Sequence, residues 1–204
     1  MLALIIITNG QTLTYDVTKG NKNLGSMVIT RTVIGNTEEI SIKSSVKYKL
    51  LLTFRINVNH YEKFVNGKLN WGKALSTLNG RTQKDSKIVA NKEGHLLTLD
   101  GVNAQVTDEI DYSIAQIYYY EPVDGQRVFS QQFAQFMTFK KVGSNKYLLS
   151  SPDGDNYYTY TNGICTHVRV LRDFANFSFE IQPESMKAIQ AKADSLYVRA
   201  KKPD

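Results

Sequence analysis

The sequence predicts a mainly β protein: a single large curved antiparallel sheet, of half-barrel or open-barrel form, with one short helix in the second half and a C-terminal helix. Three observations carry this. Twelve Tyr and nine Phe stand against one Trp, in a chain also rich in Val, Ile and Thr, which is strand-forming composition. Turn signals recur near 35, 66, 79, 93, 100 and 162, spaced as in a meander and not as in alternating βαβ units. Between them, apolar and polar residues alternate with the period of a half-buried strand.

The elements follow in order. Thr12 to Val17 alternates and ends in a polar loop closed by Gly25. Ser26 to Ile34 and Thr37 to Leu51 join across Gly35-Asn36, which sets Ile29 opposite Ile42 and Met27 opposite Ser44. Ile40, Ile42, Val46 and Tyr48 then face inward, and Glu39, Lys43, Lys47 and Lys49 face water. Phe54 to Val65 and Lys68 to Leu78 form the next hairpin across Asn66-Gly67, with Phe64 facing Leu69, Glu62 facing Trp71 and Val58 facing Leu75. Asn79-Gly80 returns the chain, Lys87 to Ala90 pairs with His95 to Leu99, and Asp100-Gly101 ends that unit. Ile110, Ile114 and Ile117 recur at helical spacing before Pro122, so a short helix is expected between Thr107 and Tyr120. Strands resume from Gln126 to Val142 and Lys146 to Ser150, and Arg172 to Gln182 is the last. After Pro183, the spacing of Met186, Ile189, Ala193 and Leu196 predicts an amphipathic helix over Glu184 to Lys201.

Asn162-Gly163 is the turn with the richest surroundings. A two-residue loop there pairs Thr161 with Ile164, Tyr160 with Cys165, Tyr158 with His167 and Asn156 with Arg169. Tyr158, Tyr160, Cys165, His167 and Arg169 are then expected on one face, and they are the candidate binding residues. A Cys and a His two apart on a strand suit a nucleophile pair or a metal site, but each use needs a third group that the sequence does not supply. The alternative is a cross-strand polar and aromatic ladder that holds the sheet together.

Other patterns fall away. Ser44-Ser45-Val46-Lys47 has the Ser-x-x-Lys spacing of penicillin-recognising enzymes, but it lies on a strand and lacks that group's companion motifs. No Gly-x-Ser-x-Gly elbow, His-Glu-x-x-His helix, phosphate-binding loop or dinucleotide fingerprint occurs. Asp153, Asp155 and Asn156 lack the full calcium-loop spacing and read as a Pro-Asp-Gly turn. His60 and His95 sit apart, on a strand and in a loop. No catalytic residue, cofactor or metal is assigned.

The net charge of +6 is spread along the chain, with no Lys/Arg run longer than two. Nucleic acid is therefore not an expected partner. Met1 to Thr8 is an uncharged apolar run, too short to span a bilayer, which takes about 20 residues. It reads as the core of a partial signal peptide over 1–10 with a cut before Gln11, followed by one β-rich domain over 11–182 and a helical tail over 183–204. The alternative for this run is a buried first strand. Cys165 is the only cysteine, so an internal disulfide is impossible.

Leu13-Thr14-Tyr15-Asp16-Val17 with Leu24-Gly25-Ser26-Met27, the Phe64-to-Leu69 hairpin, Leu78-Asn79-Gly80, and Pro152-Asp153-Gly154 leading to Asn162-Gly163 together resemble a family of exported Bacteroidota proteins of unknown function. That family is similar to a wider group of periplasmic domains of unknown function. The resemblance covers Gln11 to Ile181 and implies a periplasmic or secreted, highly curved sheet; it implies no catalytic residues.

Three functional expectations result. The first is a non-enzymatic exported protein that holds a lipid or other amphiphile in the concavity of its sheet. The second is an envelope interaction module that binds a protein or an acidic glycan through a Tyr-rich basic surface. The third is a hydrolase working through the Cys165, His167 and Arg169 face.

Overall fold

The computed structural model describes residues 8–49, 53–172 and 175–190. The apolar run at 1–7 lies outside these, as does the expected helix beyond residue 190 with Ala193 and Leu196. The sheet is antiparallel, open and built of 14 strands. Eight come first: β1 Thr8–Lys19, β2 Lys22–Ile34, β3 Thr37–Lys49, β4 Thr53–Val65, β5 Lys68–Leu78, β6 Arg81–Asn91, β7 Gly94–Leu99 and β8 Val102–Val106. Six follow: β9 Arg127–Ser130, β10 Gln135–Gly143, β11 Lys146–Ser151, β12 Gly154–Thr161, β13 Ile164–Arg172 and β14 Ala175–Ile181.

Each group is a meander, and the two wings join where β1 pairs with β14, from Tyr15 opposite Ile181 to Thr18 opposite Ser178. The turns explain the meander. Asn66, Asn79, Asp100 and Asn162 all have positive φ and are each followed by a positive-φ glycine, the backbone whose twist matches that of the flanking strands. The Asp100-Gly101 turn opens a further hairpin into β8 instead of ending the unit.

Between β2 and β3 the register is the expected one, with Ile29 opposite Ile42 and Met27 opposite Ser44. Between β4 and β5 it departs after one pair. Phe64 faces Leu69, but Lys63 faces Trp71, Glu62 faces Gly72 and Asn59 faces Leu75. Asn70 is an extra residue, a β-bulge that advances the returning strand by one. Gln83 does the same between β5 and β6, and Thr166 between β12 and β13. All three bulges stand three residues after the glycine of an Asn-Gly turn.

β1 begins at Thr8, and Thr8 to Gly10 pair with Ile34 to Thr32. The chain between β8 and β9 runs from one outer edge of the sheet to the other across its concave face. The helix expected there is a single 3-10 turn, Gln116–Tyr118. The rest is extended because its backbone bonds to strands: Leu69 N donates to Ile110 O at 2.8 Å, Phe129 N to Tyr112 O at 2.9 Å, and Ile114 N to Phe129 O at 3.1 Å. The helical spacing of its isoleucines has another origin. Ile110 and Ile117 are buried in two separate apolar clusters on different wings, and Ala115 and Tyr119 in a third.

Side chains fix this crossing segment in place. Tyr119 Oη donates to Ile29 O at 2.9 Å, and Tyr160 Oη donates to Ile117 O at 2.9 Å. At the end of the domain, residues 183–190 form helix α1. Gln182 O accepts from Ser185 N at 3.0 Å, and Met186 and Ile189 pack on the cluster around Leu13, Tyr15 and Ile29. Ser185 Oγ accepts from Thr14 N at 2.9 Å, satisfying the edge of β1 beyond its pairing with β14.

Candidate functional site: a cavity under the crossing segment

Alternation puts Met27, Ile42, Val46, Ile56 and Val58 of one wing and Val168, Val170, Phe177 and Phe179 of the other on the concave face. Phe179 packs against the cluster of Met27, Ile42 and Val46 at the floor, but above it the two walls stand apart. They leave a cavity of about 320 Å³ over the β1–β14 junction, roofed by Ile114 and Tyr118 of the crossing segment. Its walls are mainly apolar, and polar groups stand at intervals around it: Ser44, His60, Gln132, Asn156 and Arg172. This volume and lining fall at the lower end of small-molecule sites, roughly 300 to 1,000 Å³.

The polar groups differ in how firmly they are held. Arg172 Nη1 donates to Leu171 O at 2.7 Å and to Asn156 Oδ1 at 3.1 Å. Tyr118 and Tyr158 both line the cavity, and desolvation by burial pushes their hydroxyls well above the usual tyrosine range, so both are neutral donors. Tyr118 Oη has no hydrogen-bond partner among the described residues, which leaves it available to a ligand.

His60 lines the cavity and connects to a buried polar group behind it. Its Nε2 lies 2.8 Å from Glu62 Oε1, and Ser113 Oγ donates to Glu62 Oε2. Glu62 and Ser113 are both fully buried. A serine nucleophile needs the imidazole between the hydroxyl and the carboxylate. Here the carboxylate stands between them, so Ser113 serves as an anchor for the crossing segment and not as an activated hydroxyl. Gln116 Nε2 adds a second anchor at 2.8 Å from Glu38 Oε2, and Glu38 is in turn paired with Arg31. Gln131 is also buried beside this group, and neither of its side-chain polar atoms has a partner.

The structure divides the expected face of Tyr158, Tyr160, Cys165, His167 and Arg169. The Thr166 bulge sets Tyr158 opposite Val168, Thr159 opposite His167 and Tyr157 opposite Arg169. Tyr158, Tyr160 and Cys165 therefore point to the concave side and are buried, while His167 and Arg169 turn to the convex side. Cys165 is enclosed, and burial pushes its thiol up, away from the reactive thiolate. His167 faces Glu180 across β14. The pair that a hydrolase would need is not assembled.

The three histidines are likewise apart, since His95 Nε2 lies 2.7 Å from Leu69 O on the first wing. No group of three metal-ligating residues forms among the described residues. Asp155 Oδ1 accepts from Ser150 Oγ at 2.7 Å, within its own hairpin.

Sequence reasoning passed over Val58, Tyr118, Gln132 and Arg172 as cavity residues. One signal was present: Ile56, Val58, His60, Glu62 and Phe64 share a strand face, so two polar residues interrupt an inward apolar row. Tyr118 carried no such signal, because its position depends on the path of the crossing segment.

Among the described residues no helix is long and apolar enough to cross a membrane. In comparison with known families, residues 15–182 match a domain of unknown function, DUF6134. The searches of curated proteins and of solved structures returned no match.

Proposed function

The chain belongs to the DUF6134 family, a domain of unknown function, and from that premise we propose that it is a non-enzymatic binding protein which holds an amphiphile in the cavity under the crossing segment. The observation that carries this is the cavity itself. A sheet that needed only to be stable would close its concave face with its own side chains, because unfilled apolar space forfeits packing energy. Here about 320 Å³ stays open between two apolar walls. Tyr118 Oη and the Asn156–Arg172 pair add a few polar contacts within it.

The test is binding of a dodecyl-chain fluorescent probe by the purified protein, compared with Val58→Trp, which places an indole in the cavity. The expected result is saturable binding by the parent chain and its loss in Val58→Trp, with the fold retained by circular dichroism. Equal binding by both, or none by the parent, overturns the reading.

The proposal includes export. The apolar run from Met1 to Thr8 is its support, and cleavage before Gln11 would remove only the first three residue pairs between β1 and β2. Amino-terminal sequencing of the protein from its host tests this, and an intact Met1 would refute that cut.

A second reading is supported on the convex side. Tyr61 and Trp71 lie 5.2 Å apart and border a groove with Lys43, Asn59 and Lys73, the kind of surface an acidic glycan would contact. A polyuronate that binds the parent but not Trp71→Ala would favour it.

A further inference from the structure

A basic groove lies next to one end of the apolar cavity, and a ring contact joins the two. Val46 and Phe177 line the cavity, and the Phe177 ring meets Tyr48 edge-on at 5.9 Å. Tyr48 follows Val46 on the inward phase of β3, so it stands on the concave side just past the cavity wall. Its hydroxyl accepts from Lys19 Nζ, and that ammonium also lies over the ring, 4.4 Å from the centroid. Lys22 borders the same groove, as do Lys47 and Lys49, which reach it from the other face of β3 where that strand runs past the last β2 pair, Gly25 with Val46. None of these four lysines forms an ion pair among the described residues.

Four lysines line this one groove, and an anion placed in it would be attracted by all of them. Tyr48 stands between the two regions: its ring meets Phe177 of the apolar lining and its hydroxyl accepts from Lys19. A ligand with an apolar tail and an anionic head would satisfy both at once. We propose that the amphiphile is anionic, with its phosphate or carboxylate head held by Lys19, Lys22, Lys47 and Lys49 and its tail passing Tyr48 and Phe177 into the cavity. This rests on the reading of the cavity as a tail site.

The experiment compares dodecyl phosphate, dodecyl maltoside and inorganic phosphate by calorimetry, each dodecyl compound below its micellar concentration. It uses the parent chain, Lys22→Ala/Lys49→Ala and Val58→Trp. Lys22 and Lys49 are exposed, so their removal leaves the fold intact. Dodecyl phosphate is expected to bind the parent about tenfold more tightly than dodecyl maltoside, as two or three exposed charge pairs allow. The double variant should lose that preference while retaining maltoside binding, and added salt should reduce the preference in the parent.

Equal affinity for the two head groups in the parent overturns the anionic assignment and leaves the cavity reading standing. Failure of both dodecyl compounds to bind overturns both readings. Inorganic phosphate binding as tightly as dodecyl phosphate, undiminished in Val58→Trp, would mark a site for a soluble anion and overturn the amphiphile.

Discussion

Replacing Ser113 by Ala tests what holds the crossing segment over the cavity. The hydroxyl donates to Glu62 Oε2 and accepts from Ala115 N at 3.2 Å, and Ser113 and Glu62 have no solvent exposure. Its loss removes one hydrogen bond to a charged group, about 1.5 to 3 kcal/mol, and leaves a buried amide without its partner, about 1 kcal/mol more. The expected destabilisation is therefore about 3 kcal/mol. With a urea m-value of about 2 kcal/mol/M, the unfolding midpoint falls by about 1.5 M.

The assay is urea unfolding followed by circular dichroism, with Glu62→Leu and the double variant completing the cycle. Once Glu62 is apolar, Ser113 no longer supports a carboxylate, so the double variant should be less destabilised than the sum of the single ones. A Ser113→Ala protein within about 0.5 kcal/mol of the parent, the usual range for an incidental surface change, would refute the anchoring role.

Other perturbations have equally definite outcomes. A Cβ at Gly72 would overlap the buried Gln131 amide and crowd Glu62 Cγ at 3.2 Å, so Gly72→Ala should destabilise by about 1 to 3 kcal/mol in the same assay. Cys165 is buried, with its thiol pushed up, so it should resist iodoacetamide at pH 8 in the folded protein and react after unfolding; rapid native labelling would contradict the packing. Burial is the main cause that lowers the His167 pKa below its usual 6.5, with Arg169 and Lys146 acting in the same direction and Glu180 opposing. The unfolded chain therefore binds this proton first, and His167 weakens the fold as the pH drops from 6.5 through its lower folded value. His167→Asn should flatten that part of the stability profile, and an unchanged slope would remove His167 as its source.

Features set by single turns were legible. Gly35-Asn36 identifies its hairpin and register, since two residues of suitable φ determine every later pair. The bulges at Asn70, Gln83 and Thr166 were not, because a bulge needs only one residue of changed backbone angle and demands no particular side chain. Their trace is a change of apolar phase: Cys165 faces inward at an odd position, Val168 and Val170 at even ones. Taken at a constant phase, the strand carried His167 and Arg169 to the wrong side of the sheet. The crossing segment was hidden for a different reason. Its isoleucines mimic a helix, while the backbone bonds that decide its form come from Leu69 and Phe129, remote in sequence. The cavity depends on that path and was legible only as the expectation of a concave groove.

The junction of β1 with β14 bears on the order in which the molecule assembles. Within each wing every strand pairs with its sequence neighbour, so hairpins can add one after another with short loops to close. Joining Tyr15 to Ile181 is different, because these partners stand near opposite ends of the domain sequence and their pairing is the most non-local in the sheet. Contact order predicts that this seam forms late, after the two meanders. The cavity floor lies on that seam. The pocket is therefore expected to be completed late, and an occupant that bridges the two walls would stabilise the finished fold against separation of its wings.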